Sequence, residues 1–423
     1  MNSPVQLPSY DQALRMILAD APSPGPAVIE RPLDLALGDT LAGPVRADRD
    51  LPPFNRAAMD GYAVRAADLA SGGPTTLRLV GNIAAGEPAD LRIEAGTCAA
   101  IATGAPVPEG ADTVVPHEKT DRGDPQVTVR EAVEAGFAIH PRAADAAAGD
   151  ELLPAGITLG PHHLAIAATV GAVSLPVSLR APSVTIISSG DEIRPPETTS
   201  AELLPHQIRE SNVTYLRHAI PAFGGRVLDH LHARDEAKPT REAVAHAIAT
   251  SDIVVTIGGI SAGRRDRFPD AFEDAGVVTH LRGAAIQPGK PIFVGSVLVD
   301  DERPCLIVGL PGNPVSVLAT SHLFLWPLVR RFRGLSPRLP WMVRPSARAV
   351  MPNPSREVFR PCHIEDRGVV IPEWHGSGDL AHVAPTTGLA RLPVEDDVVE
   401  AGNPISCLPY AWNMQSPRPG VVG

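Results

Sequence analysis

The sequence predicts a multidomain chain of the α/β plus β class. Three observations carry this. Strands and helices alternate from about residue 181 to 331, the pattern of a parallel, doubly wound sheet. From 45 to about 140 the texture is short strands separated by Gly, Pro and Asp turns. The last ~85 residues return to short strands split by Pro and Gly, which predicts a small closing β domain.

Taken in order, Ser9-Tyr10-Asp11-Gln12 is a capping box that opens a helix to about Ala19. The stretch APSPGPAV breaks it, and a short αβ piece, 28–41, leads to Pro44. Segments 76–80, 99–103, 113–116 and 126–129 read as the strands of the β region. Residues 161–170 form a helix with Pro161 at its start and Gly171 at its end. If that helix packs on the N-terminal stretch, the β region is an insertion. The expected domains are therefore a discontinuous α/β linker domain (1–44 plus 141–180), an inserted β domain (45–140), an α/β domain (181–335) and a C-terminal β domain (336–423). Within the α/β domain the expected order is strand 184–188, helix 212–223, strand 226–231, helix 240–249, strand 253–257, helix 267–275, strand 277–281, a strand at 305–308, and a helix from Val315 to about Arg330.

Composition narrows the function. At 423 residues the chain holds two to four domains of ordinary size. Hydrophobic residues are 44% and aromatics 4%, so the cores rest on Ala, Val, Leu and Ile. A net charge of −11 argues against nucleic acid as a partner. There is no run of ~18 apolar residues, hence no expected membrane partner. The start MNSPVQLPSY has neither a basic nor an apolar leader region. Cys98, Cys305, Cys362 and Cys407 are scattered, which fits a reducing cytoplasm and no zinc site.

The chemistry gathers in glycine-shaped loops after strands. Residues 251–266, SDIVVTIGGISAGRRD, run from a buried β-branched strand into Gly258, Gly259, Ser261 and Gly263. A strand, a Gly-rich turn and a helix start are the makings of an anion site. A second such strand, Cys305–Val308, ends in Gly309-Leu310-Pro311-Gly312-Asn313-Pro314. In open α/β sheets, ligands gather at these strand ends. The chain has only three lysines, Lys119, Lys238 and Lys290, and the last persists inside a Pro-Gly-Lys-Pro loop, where a compact charge suits an oxyanion. Asp60, Asp191, Glu192, Asp235 and Asp266 sit in or beside turns, three of which follow strands of the α/β domain. A hard cation such as Mg²⁺ needs only one or two such carboxylates. Gly259-Ile260-Ser261-Ala262-Gly263 also fits the G-x-S-x-G elbow of serine hydrolases, with Asp301, Asp379 and His382 downstream. A P-loop is excluded, because five residues separate Gly283 from Gly289-Lys290 and Pro291 stands where Ser or Thr is required.

The motifs PPFNRAAMDGYAV, ATGAPVPEGADTVVP, SSGDEI, GGISAG-x-x-D, QPGKP and GLPGNPVS, with GSGDL near the end, resemble those of the molybdopterin molybdenumtransferases, the MoeA and gephyrin E-domain family. They occur in that family's order over nearly the whole length. The resemblance implies a dimer of elongated four-domain protomers, with a MogA-like molybdopterin-binding α/β domain and the active cleft between subunits. It implies that adenylylated molybdopterin, supplied by an upstream adenylyltransferase, and molybdate become molybdenum cofactor and AMP, with Mg²⁺. It places Ser261, Lys290, Ser316, Arg360 and Ser377 on molybdate, together with the loop residues Gly258, Gly259, Gly263, Gln287, Pro311, Gly312, Asn313 and Pro314. Asp266 and Asp235, with Glu192 nearby, would hold the metal and act in catalysis. Asp60, Thr103 and Asp145 would join the cleft from the partner subunit. The sequence departs from the family at Asn55 (usually Asp), at Ala57 (usually Ser), at Gln287 (often Lys) and at Arg267 (usually aromatic). Some relatives of the family act as scaffolds, so a non-catalytic paralogue is the other reading of this fold.

Overall fold

The computed structural model describes residues 6–20, 27–69, 73–178, 181–260, 266–300 and 302–414. Two compact units divide the chain: residues 1–29 with 178–423, and residues 30–177.

In the larger unit the all-buried strand Ile253–Ile257 lies inside a six-stranded sheet. The order is Arg226–Ala233, Ser183–Ser189, Ile253–Ile257, Arg303–Leu310, Phe293–Val299, Val278–Arg282. The first four are parallel, with helices Asn212–Phe223 and Ala237–Thr250 between them in the chain. The wholly parallel sheet expected from the sequence is corrected here. Phe293–Val299 is an unforeseen strand that runs antiparallel to both Arg303–Leu310 and Val278–Arg282. Three residues, 300–302, are too few for the crossover that a parallel return needs, so the chain makes a hairpin. Buried apolar residues on the two faces of this sheet form separate clusters.

The N-terminal helix spans Tyr10–Asp20 and has the expected cap: Gln12 N donates to Ser9 Oγ at 3.3 Å, and Ser9 N to Gln12 Oε1 at 2.9 Å. It does not join the linker domain in which the sequence reading put it. Tyr10 is buried edge-on against Phe324, Trp341 and Phe359, and its N–H donates to Glu357 Oε2 at 2.9 Å. Burial of that ring ties the helix to the larger unit.

The single helix expected after Val315 is three segments, Pro314–Thr320, a π-helical turn Ser321–Leu325, and Trp326–Phe332. Pro327 has no N–H and crowds the carbonyl four residues back, so the turn before it widens. A second sheet follows in the order Ile286–Gln287, Glu357–Glu365, Gly388–Leu392, Pro404–Pro409, Met342–Pro345, with Gly368–Val370 on Glu357–Glu365. Its first strand is two residues from the middle of the chain, paired in parallel as Ile286 with Glu357 and Gln287 with Val358.

In the unit 30–177, the strands Thr113–Pro116, Gly61–Val64, Thr97–Ile101, Thr75–Ile83 and Gln126–Val129 form one sheet in that order. Stretches on either side of this region share a separate cluster: Leu41 and Val45 with Leu153, Leu159, Leu175 and Val177. Among the described residues no helix is long and apolar enough to cross a membrane.

Candidate active site

Register decides what meets at the edge of the parallel sheet. Ser189 pairs with Ala233, Ser188 with Ile257, and Ile257 with Leu310, so four strands end side by side. The residues that follow these ends line one cavity of about 380 Å³. It collects Glu192, Asp235, Gly258, Gly259, Asp266, Gly312, Asn313 and Pro314. Gly258 (φ +74°) and Gly259 (φ +61°) are left-handed, and a Cβ at Gly259 would come within 2.8 Å of the Phe268 ring. Asn212 Nδ2 donates to Gly312 O at 2.7 Å and so holds the second loop against this cavity. Ser261 and Gly263, also expected here, lie outside the described residues.

A second cavity, of about 550 Å³, shares Asn313 with the first. It is lined by Gln287, Lys290, Pro311, Ser316, Arg360 and Ser377 among the expected residues. The two-residue strand Ile286–Gln287 is the reason: its pairing with Glu357–Glu365 draws the Pro-Gly-Lys-Pro loop to the arginine-bearing strand. Ser377 is held from the opposite side, since its Oγ accepts from Asn313 Nδ2 at 2.7 Å and its carbonyl from Val315 N at 3.0 Å.

The electrostatics of the two cavities are opposite. The first has Glu192, Glu210, Asp235 and Asp266 on its wall against Arg209. The second has Lys290, Arg356 and Arg360 and, among the described residues, no carboxylate. Arg360 is half-buried, its guanidinium lies 5.2 Å from the centre of the Trp374 ring, and its Nε has no hydrogen-bond partner. Burial pulls its pKa below the usual arginine value. A desolvated guanidinium without a carboxylate is a standing demand for an anion.

Sequence reasoning missed Arg356 and Trp374 in the second cavity and Ser188, Ser189 and Glu210 in the first. Arg356 belongs to no motif; it stands in the bend just before the strand Glu357–Glu365, which carries Arg360. Gln287 is engaged: its Oε1 accepts from Asn353 Nδ2 at 2.6 Å.

In the unit 30–177, Asp60 Oδ1 accepts from Thr103 N at 2.7 Å and from Thr103 Oγ1 at 2.8 Å. The backbone N–H, then the hydroxyl, hold the Asp60 carboxyl below the usual range. Asp145 Oδ1 takes His140 Nε2 at 2.8 Å, and Arg56, the strand partner of His140, lies 3.9 Å from Asp145 Oδ2. Asn55 Oδ1 accepts from Arg142 N at 2.8 Å, a task that either an amide or a carboxylate performs.

Known proteins match this chain along most of its length. A family model described as the MoeA N-terminal region (domain I and II) covers residues 8–171, and one described as a probable molybdopterin binding domain covers 186–331. Molybdopterin molybdenumtransferase 2 of Mycobacterium tuberculosis is 36% identical over 384 residues, which is 87% of this chain and 91% of that protein. The molybdopterin molybdenumtransferase of Nostoc sp. is 32% identical over 383 residues, 88% of this chain and 86% of the other. A crystal structure of a molybdopterin biosynthesis MoeA protein from Pyrococcus horikoshii superimposes with a TM-score of 0.68 at 29% identity, covering 96% of this chain and 99% of that one. With such identity sustained over most of each relative, this chain belongs to the molybdopterin molybdenumtransferase (MoeA) family of molybdenum cofactor biosynthesis.

Proposed function

We propose that this chain inserts molybdate into adenylylated molybdopterin and releases AMP and molybdenum cofactor. The observation that supports this most is the pairing of an acidic cavity with a cationic one across a single loop, Pro311–Pro314. The first suits a phosphoanhydride accompanied by a hard cation, and the second suits a tetrahedral dianion. Glu192, Asp235 and Asp266 offer the oxygen ligands that Mg²⁺ takes, so the residues present fit that ion. Bound there, Mg²⁺ would neutralise charge on the phosphates of the substrate. Lys290, Arg356 and Arg360 hold the oxyanion by charge, while Ser316 and Ser377 offer hydroxyls to orient it. The sulfurs that replace molybdate oxygens belong to the pterin, and all four cysteines of the chain are buried, away from this role.

The reading carries a homodimer with it, in which Asp60, Thr103 and Asp145 serve the site of the second protomer. It also implies an adenylylating enzyme upstream. The test is AMP release from adenylylated molybdopterin and Mg²⁺, with and without molybdate. Molybdate-dependent release is expected. Asp266→Ala should lower it by about 100-fold or more, the scale of losing a group that stabilises the transition state. Unchanged release by Asp266→Ala would sink the metal assignment, and release indifferent to molybdate would sink the reaction.

A further inference from the structure

His375, Asp379 and His382 take no part in either cavity as assigned above, yet they are built around one another. The Asp379 side chain is only 11% exposed. Its Oδ2 accepts from His375 Nδ1 and from His375 N, each at 3.1 Å. Its Oδ1 accepts from His382 Nδ1 at 2.6 Å. The two imidazole centroids are 5.0 Å apart. One donor atom from each residue falls within 4.8 Å of the other two. Two ring nitrogens thus converge on one carboxylate, each across a shared proton, and a metal ion can replace those protons without moving the chain far.

The donors identify the ion. Two imidazoles and one carboxylate suit a borderline divalent transition ion, whereas Mg²⁺ and Ca²⁺ take oxygen almost alone. Three protein ligands leave a position for water. The scattered cysteines had argued against zinc, but this ligand set needs none of them.

We propose that His375, Asp379 and His382 bind a divalent transition ion of the Zn²⁺ class. Its place gives it a task. The loop it would close, 375–382, carries Ser377, which grips Asn313 and Val315 at the junction of the two cavities. Trp374, beside the first ligand, is the ring on which Arg360 rests. An ion at this point clips the loop that forms one wall of the cationic cavity. The site does not depend on the proposed reaction, and it is distinct from the carboxylates proposed for Mg²⁺.

The test uses the full chain, stripped with a chelator and titrated with Co²⁺ alone, followed by visible absorption and by competition with Zn²⁺. One equivalent of Co²⁺, displaced by Zn²⁺, is expected. The pair His375→Gln and His382→Gln keeps side-chain hydrogen-bond donors but removes both imidazoles, and should weaken binding at least ~100-fold. The variant's thermal melt with chelator present should match that of the parent, which separates lost ligands from a lost fold. Asp235→Ala with Asp266→Ala should leave the Co²⁺ band unchanged. No Co²⁺ band in the parent, an equal band in the His pair, or a band lost in the Asp pair would each overturn the proposal. Zn²⁺ should also slow proteolysis between 372 and 387 in the parent and not in the His pair, and equal cleavage rates would remove the clip.

Discussion

Arg360 carries its charge to a place where no carboxylate of the described chain answers it. Its Nε is buried without a partner, and its plane rests on Trp374. Removing it takes away a charge-assisted contact of roughly 1.5–3 kcal/mol, so Arg360→Ala should raise the half-saturating molybdate concentration by ~10–100-fold. Arg356 stands on the same wall, and we expect it to supply the cation that Gln287 does not. Arg356→Ala should then raise the same constant by about 10-fold, while an unchanged value would leave Gln287 uncompensated. The two arginines also mark the limit of what could be read from the sequence. Lys290 and Ser316 were legible because they sit in recognisable words, and Arg360 only through the family resemblance. Arg356 was not, because its role depends on a strand pairing that no local pattern records: Gln287 against Val358, across the whole hairpin and helix between them.

At the scale of elements, the helix after the Gly-Leu-Pro-Gly-Asn-Pro loop is the one that departs most from its expected form. Its π-helical turn buries His322 completely among Phe223, Trp326, Tyr410 and Trp412, with Nδ1 on Leu318 O at 2.9 Å and Nε2 unpartnered. Burial pushes its pKa down from 6.5 to about 4. Between those two values the unfolded chain binds a proton that the folded chain refuses. Stability therefore falls as pH drops through that window, by up to roughly 3 kcal/mol. Melting temperatures between pH 8 and pH 4 should show the loss, and His322→Leu should flatten the slope. An equally steep slope in that variant would place the acid sensitivity elsewhere. The signal for the break was present, since Pro327 cannot continue an α-helix undisturbed. The strand Phe293–Val299 was equally visible as an apolar run, but a sequence reading that expected helices between strands passed over a hairpin. Helices and strands of ordinary length were legible from their period, and the two-residue strand Ile286–Gln287 was not, because two residues have no period.

For the whole molecule, the sharpest test concerns whether protomers share work. If Asp60 serves the site of a second protomer, a chain carrying Asp60→Ala and a chain carrying Asp266→Ala are each inactive alone. Mixed and allowed to exchange, they should recover up to about a quarter of the parent activity, the share expected when one site in each mixed dimer is intact. No recovery in a mixture shown to exchange would put both residues in one protomer's site. The order of the motifs along the chain made the family legible, while the packing of Tyr10–Asp20 on the larger unit was not, because it depends on a ring buried against residues more than three hundred positions away. The short strand Ile286–Gln287 has one last consequence. The acidic cavity is assembled entirely from residues 188–314, whereas the cationic one is split, with one wall from 286–316 and the other from 356–377. Substitutions confined to the later segment can therefore reshape the cationic cavity while every residue that lines the acidic one stays as it is.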